Sequence, residues 1–266
     1  MIEPGVYASV HSDPGIGRPN AGCVVDEDGV TVVDALMVPS QAGPFGDEVD
    51  ALGLPARRVV LTSGHIEFAG GTSRFRLAAF YGTRLTSAHL DEPPNIPAYQ
   101  HFMPDFAAEF VGLETRPITH LVDEPVMLTP AVELVPVSGY TPQNLLVAVP
   151  AAGVVFAGGM CSFGVTPLCF QGDPTVWADT LEVLPELAPT IVPGHGPPGG
   201  EAEVRALQGY LRACVDAGGD PDRIPDGPWD TWRERHLDAI NVERAAMLRR
   251  GEDAIPPTML RAIGLA

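Results

Sequence analysis

The sequence predicts an α/β layered fold built on a mixed sheet, and three observations carry that prediction. Two β-branched runs flank a four-residue turn in AGCVVDEDGVTVVDA (21–35), which signals a hairpin. A helix-like stretch, VPSQAGPFGDEVDALGL (38–54), separates that hairpin from the apolar run ARRVVLTSG (56–64). The order strand, strand, helix, strand belongs to layered α/β folds. Finally, 45% of the 266 residues are hydrophobic, enough to bury a sizeable core, and the length suits one large domain or a domain with an extension.

Taken in order, GVYASVHS (5–12) reads as a strand and DPGIGRPN (13–20) as a turn, ahead of the hairpin. After the fourth strand, residues 86–120 change character. DEPPNIP (91–97) is a proline-rich break, and AYQHFMPDFAAEFVGL (98–113) has apolar and aromatic residues at helical spacing, interrupted by Pro104. That segment is expected to be an inserted helical cap, packing its own small core and able to act as a lid. A second β-rich block follows: AVELVPVSG (131–139), NLLVAVP (144–150) and GVVFAGG (153–159) are short apolar strands joined by proline and glycine turns. A helix is expected over PTVWADTLEVLPEL (174–187) and a strand over PTIVPGHG (189–196). The tail from Glu201 reads as helical in two pieces, split at GGDPDRIPDGP (218–228).

Charge narrows the function classes. Formal net charge is -18, from 34 acidic and 16 basic residues. Phosphate backbones and acidic membrane surfaces need clustered Lys and Arg, and here the basic residues are scattered, so neither nucleic acid nor membrane is an expected partner. MIEPGVYASV has neither the basic nor the apolar region of a secretory signal. Four cysteines (Cys23, Cys161, Cys169, Cys214), with no CxxC pair, suit a reducing cytoplasm and no thiolate zinc site. Cytoplasmic localisation is the expectation.

Four strand-end loops carry the chemistry: TSGHIEFAGG (62–71), SGYTPQN (138–144), FAGGMCSF (156–163) and PGHGPPGG (193–200). Their order and content resemble the metallo-β-lactamase superfamily, in which one strand ends in T-H-x-H-x-D-H-x-G-G and later segments read G-H-T-P-G, F-x-G-D and P-G-H-G. VVDA (32–35) and the tail ERHLDAINVER (234–244) extend the likeness along most of the chain. The resemblance implies a four-layer αββα sandwich as a single domain over 1–266, with a helical insertion at about 86–120 and a helical C-terminal extension at about 201–266. It also implies hydrolysis of esters, thioesters, lactones or lactams at a pair of zinc or iron ions held by five histidines and two acids.

The ligand positions of that motif are mostly changed. Ser63 stands at the first histidine, His65 keeps the second, Glu67 stands at the acid and Phe68 at the third histidine. Tyr140 stands at the fourth histidine, Gly159 at the bridging aspartate, and His195 keeps the last. Phe68 offers no lone pair, Gly159 removes a charge and two oxygens, and two close cations need several anionic ligands to offset their repulsion. No metal cofactor is therefore expected. The alternative is a single zinc or iron ion on His65, Glu67 and His195, a two-histidine, one-carboxylate set that Tyr140 or Cys161 would complete.

The expected catalytic residues are His65, Glu67, Tyr140 and His195. Glu67 raises the basicity of His65, His65 or His195 is the base, and the Tyr140 phenol is either a donor to a developing oxyanion or a plug for the vacated volume. Ser63, Phe68, Cys161 and Phe163 are the expected substrate-binding residues. Cys161 is a candidate nucleophile if a histidine lowers its pKa, and otherwise a packing residue. Asp34 is read as an acid that caps amides of the motif loop, and Met160, Phe170 and Trp177 as residues of the rim or core. His11, His89, His101, His120 and His236 have no motif support. Two readings of function follow: acid–base chemistry on a small molecule (hydrolysis of a labile ester, thioester or lactone, elimination or cyclisation), or a pocket that binds a small molecule or partner without turnover.

Overall fold

Side chains alternate between two packing faces along almost every strand, and that alternation builds the layers. A computed structural model describes residues 1–266. The first sheet takes β1 (Val6–Ser9), β2 (Ala21–Asp26), β3 (Gly29–Val33), β4 (Ala56–Val60), β5 (Ala79–Gly82) and β6 (His120–Leu121), in that spatial order. The helices of this half are α1 (Pro39–Asp50), α2 (Ile66–Ala69), α3 (Arg84–Asp91) and α4 (Ile96–Phe102). The β1–β2 and β2–β3 pairs are antiparallel and the later ones parallel, so the sheet is mixed.

The second sheet has the order β11 (Thr190–His195), β10 (Val154–Ser162), β9 (Asn144–Val149), β8 (Glu133–Val137), β7 (Val126–Met127). Between β10 and β11 the chain forms α5 (Pro174–Thr180) and α6 (Leu184–Leu187). Asp173 caps α5 by accepting the Thr175 and Val176 amides, with Pro174 in the first turn. Three helices close the chain: α7 (Glu201–Asp216), α8 (Asp238–Arg249) and α9 (Pro257–Ala262).

Val33 and Val60 of the first sheet meet Leu145, Val147, Val154, Phe156 and Val192 of the second in one buried layer. Their strand neighbours point the other way. Val30, Val32 and Val59 pack on Phe45 and Val49 of α1. Leu146, Ala148, Val155 and Ile191 pack on Trp177 of α5 and Leu207 and Leu211 of α7. A period of two thus yields three apolar layers and a four-layer αββα sandwich. Each fully buried Val or Leu contributes about 1.5–3 kcal/mol, so the sandwich core supplies the rigidity on which the loops stand.

Local differences from the sequence reading have local causes. β5 lies in AAFYGT, too short and too little alternating to read as a strand, and it forms because β4 and β6 offer parallel edges on both sides. The helical spacing over 98–113 ends at Phe102, where Pro104 starts a 3-10 turn, Pro104–Phe106. The second helical piece of the tail divides into α8 and α9.

Candidate active site

The two sheets meet where β4, β10 and β11 end. Gly158 of β10 adopts φ +49° at a bulge, and a Cβ there would overlap the Thr62 hydroxyl, so only glycine lets these strand ends approach. Thr62 donates its amide and its hydroxyl to Asp34, each at 2.8 Å. Burial pushes the Asp34 carboxyl up to about 7. Asp34 therefore holds the end of β4 in the manner expected of it. Past Thr62, the chain turns into α2, and Gly70 and Gly71 pass so close to the carbonyls of Met37 and Ala35 that any side chain would collide. The Ala35 amide donates to the Phe68 carbonyl at 2.7 Å and the Gly71 amide to Leu36 at 2.9 Å. The loop carrying His65, Glu67 and Phe68 is fixed at both ends.

Glu67 pairs with His195, not with His65. His195 Nε2–H donates to Glu67 Oε1 at 3.1 Å, and the Gly17 amide donates to the same oxygen at 2.6 Å. Burial pushes the Glu67 carboxyl up, but the charge and hydrogen bond of His195 and the Gly17 amide outweigh it, so the group sits below its ordinary value and stays ionised. The His195 backbone is held by the Phe163 amide, which donates to its carbonyl at 3.0 Å, and Asn20 donates to the carbonyls on either side of it, Pro193 and Gly196. Beside the pair lies a hollow of about 20 Å³, room for a single water molecule. Thr166 is in its wall, buried, and its hydroxyl has no hydrogen-bond partner. Ile16, Leu168 and Leu237 close the hollow from loops and the C-terminal extension.

His65 faces another way. Its Nε2 meets Gln171 Oε1 at 2.7 Å and its Nδ1 meets the Tyr140 hydroxyl. An amide oxygen only accepts, so Nε2 carries the proton, and the Tyr140 hydroxyl donates to Nδ1. Burial lowers the His65 pKa to about 4, which keeps the ring neutral. The Tyr140 proton is thus committed to His65, and burial followed by the Glu67 charge holds the phenol well above its ordinary pKa. The phenol is a packing and hydrogen-bonding group here, and its expected donation to a substrate oxygen has no free proton behind it. Its ring lies on Gly159: a Cβ there would overlap Tyr140 Cε1 and Cδ1. Trp177 meets the ring edge-on at a centroid distance of 5.5 Å. Phe170 stacks on His65 at 5.2 Å and His89 at 6.3 Å.

The donor set does not fit a metal ion. No three His, Cys, Asp or Glu side chains converge in a geometry that would hold one. Both ring nitrogens of His65 are engaged, and the Tyr140 ring fills the volume next to Gly159. His65 and the Glu67–His195 pair accordingly lie in separate hydrogen-bond groups.

The four expected substrate-binding residues are placed in the interior. Ser63, Phe68, Cys161 and Phe163 are all buried, and none lines the hollow. Phe68, Cys161 and Phe163 belong to the core between β10 and α7, and Ser63 accepts the His65 amide at 3.4 Å. Burial drives the Cys161 thiol far above its ordinary pKa, which leaves no thiolate for attack. Met160 and Trp177 are core as well, with the Trp177 indole donating to the Met160 carbonyl at 3.0 Å. Ile16, Thr166 and Leu168, which line the hollow, and Gly17, which holds Glu67, come from segments without a motif, whereas Leu237 lies in the tail stretch 234–244. His89 and Gln171 were equally silent in the sequence.

The family model described as the metallo-beta-lactamase superfamily matches residues 14–244. No curated protein matches the sequence. Among solved structures, the metallo-β-lactamase FIM-1 from Pseudomonas aeruginosa, crystallised in a mono-zinc form, aligns with TM-score 0.62 and 19% identity over 85% of this chain and 95% of that one. A metallo-β-lactamase from Erythrobacter litoralis aligns with TM-score 0.61 and 20% identity over 80% and 94%. VMB-1 aligns with TM-score 0.64 and 15% identity over 81% and 96%. At these identities the likeness is one of fold.

Proposed function

The chain belongs to the metallo-beta-lactamase superfamily, and on that premise we propose that it hydrolyses a labile ester, thioester or lactone by metal-independent acid–base chemistry. His195 is the base. In the neutral ring the Nε2–H is committed to Glu67, which leaves Nδ1 as the lone-pair atom, without a partner in the protein. A water in the hollow gives its proton to Nδ1 as its oxygen attacks the acyl carbon. The ionised Glu67 stabilises the imidazolium, which then protonates the departing alkoxide or thiolate. Thr166 donates or accepts one hydrogen bond to position the water. His65 and Tyr140 act as positioning residues that hold the wall opposite Gly159.

The observation that carries this reading is the Glu67–His195 hydrogen bond beside a hollow sized for one water, whose wall includes Thr166, a residue with a buried and unpartnered hydroxyl. A buried hydroxyl without a partner costs about 1–3 kcal/mol unless water or ligand satisfies it. A second reading, binding without turnover, is supported by the same hollow: substrate sites usually offer about 300–1,000 Å³, so an acyl group enters only if Ile16, Leu168 or Leu237 moves aside.

The test is hydrolysis of a panel of chromogenic aryl esters, thioesters and lactones, with chelator present. His195→Gln and Glu67→Gln should each lower kcat/KM, His195→Gln by about 10²–10⁴-fold. A wild-type rate no faster than buffer across the panel defeats the hydrolytic reading and favours binding. A rate that His195→Gln leaves unchanged removes His195 from the mechanism.

A further inference from the structure

On the far side of His65 lies a larger cavity, of about 220 Å³, that the proposed reaction does not use. Its polar wall is made by His89, Gln171, Arg244 and Asp253, and its apolar wall by Leu85, Pro142, Phe170 and Ile255. The two cavities are separated by the hydrogen-bonded chain of Gln171, His65 and Tyr140.

Counting protons on the polar wall identifies what would bind. Gln171 Oε1 is taken by His65, so the amide NH2 faces the cavity with both N–H groups unengaged by the protein. Arg244 donates Nε–H to the Gly172 carbonyl, Nη1–H to Ala254, and Nη2–H to Gln171 and to Asp253 Oδ1. One of its five N–H groups remains, on Nη1. Neither ring nitrogen of His89 has a hydrogen-bond partner, and burial keeps that ring neutral, with one donor and one acceptor. With Asp253 in place its remaining lone pairs balance these donors, but once Asp253 swings out the wall offers more free donors than free acceptors.

The charges differ in burial. The Arg244 side chain is 4% exposed, whereas that of Asp253 is 82% exposed. A buried cation demands an anion close by. The anion present is a hydrated surface carboxylate in the turn between α8 and α9, and swinging it back into water leaves it solvated.

We propose that this cavity binds a small carboxylate carrying an apolar ring, with Arg244 and the Gln171 amide holding the carboxylate and Asp253 moving out to admit it. The ring lies against Phe170 and Ile255. Because the ligand fixes the Gln171 amide, it also fixes the His65 tautomer and, through it, the Tyr140 hydroxyl. The site does not depend on His195 or on any turnover.

The experiment is calorimetric titration of the full chain with benzoate and cyclohexanecarboxylate, with benzylamine as the cationic counterpart and no substrate present. Arg244 ties together three backbone segments, so its removal would confound binding with folding, and the variants are placed at Asp253 and Gln171 instead. Asp253→Asn removes the internal competitor and should tighten carboxylate binding by about tenfold, the scale of one charge-assisted hydrogen bond. Gln171→Leu should weaken it by a similar factor. Both carboxylates failing to saturate Asp253→Asn would overturn the proposal. So would Asp253→Asn weakening binding, or benzylamine binding the wild type more tightly than benzoate. Loss of hydrolysis in His195→Gln has no bearing on these titrations, so the two readings fail separately.

Discussion

Adding a methyl group at Gly159 tests whether Tyr140 truly occupies the space where the superfamily motif carries an acid. The Cβ of an alanine would overlap Tyr140 Cε1 and Cδ1 and stand 2.9 Å from Cζ. Carbon atoms rest at about 3.5–4.0 Å, so the far corner of the ring must retreat by more than half an ångström and the near edge by more. The ring has nowhere to go. Tyr140 is 4% exposed, Trp177 and Phe68 meet it edge-on at 5.5 and 6.3 Å, and its hydroxyl is tied to His65. Gly159→Ala should therefore cost about 1–3 kcal/mol by overpacking, after losing part of that to the usual gain of about 0.4–1 kcal/mol from a stiffer unfolded chain. Tyr140→Ala should cost about 3–5 kcal/mol, as for other large aromatic truncations. In the double variant the new Cβ projects into the hollow left by the ring. The two costs should then fall short of their sum by about 1–3 kcal/mol. Urea unfolding of the four proteins, read as midpoints at constant slope, measures this. Additivity within about 0.5 kcal/mol, or a Gly159→Ala protein as stable as wild type, would refute the assignment of the ring to that space.

Three further outcomes follow from the same geometry. His65 titrates near 4 when folded because burial opposes its charge, and near 6.5 when unfolded, so between those values the unfolded chain binds the proton; stability is complete above about pH 6.5 and declines as pH falls toward 4, by up to about 3 kcal/mol. Asp34, raised to about 7 by burial, has the opposite slope, losing stability as pH rises through 7, so the His65 share is read as the difference between wild type and His65→Gln in urea melts at pH 7 and 4.5; equal pH slopes would contradict it. Thr166→Val removes the orphaned hydroxyl without changing its shape, and should shift stability by less than about 1 kcal/mol while lowering ester turnover about tenfold; unaltered turnover would take Thr166 away from the water. Zinc or ferrous ion at a few equivalents should leave the thermal midpoint unmoved, because a ligand stabilises the fold only through a formed site, and a rise of several degrees would show that donors converge after all.

The layers were legible in the sequence because burial imposes a period of two on strands such as NLLVAV and VVFAGG, and the turns were legible because glycine and proline mark them. The departures from the family motif at Ser63, Phe68, Tyr140 and Gly159 were legible too, since a residue type at a fixed position is read directly from the sequence. Pairing was not. Two residues apart, His65 and Glu67 would share a face in an extended chain. The helix α2 begins at Ile66, with His65 as its cap. Each helical residue rotates by about 100°, so Glu67 turns away from His65 and toward β11 and the loop at Gly17. The wall of the hollow was invisible for a related reason: Thr166, Leu168 and Gln171 lie in an irregular segment, whose path is set by Asn241 and Arg244 holding its backbone carbonyls from α8, a long-range tie that leaves no periodic trace.

The packing at the motif positions bears on whether the cleft works. Simple loss of donors from a metal site would strand buried polar groups and open voids, because the surrounding shell was built around charge. Here the volumes are filled: Phe68 packs so closely on Gly194 that a Cβ there would lie 2.8 Å from its ring, and Tyr140 packs on Gly159. The polar groups are also hydrogen-bonded, with Tyr140, His65 and Gln171 in one chain and Gly17, Glu67 and His195 in another. In the whole protein three buried side-chain polar atoms lack a partner. Thr31 and Arg58 face one another across β3 and β4, away from the cleft, and the third is the Thr166 hydroxyl. The Thr166 hydroxyl is the buried orphan nearest the proposed reaction, in a residue that lines the water-sized hollow beside Glu67 and His195.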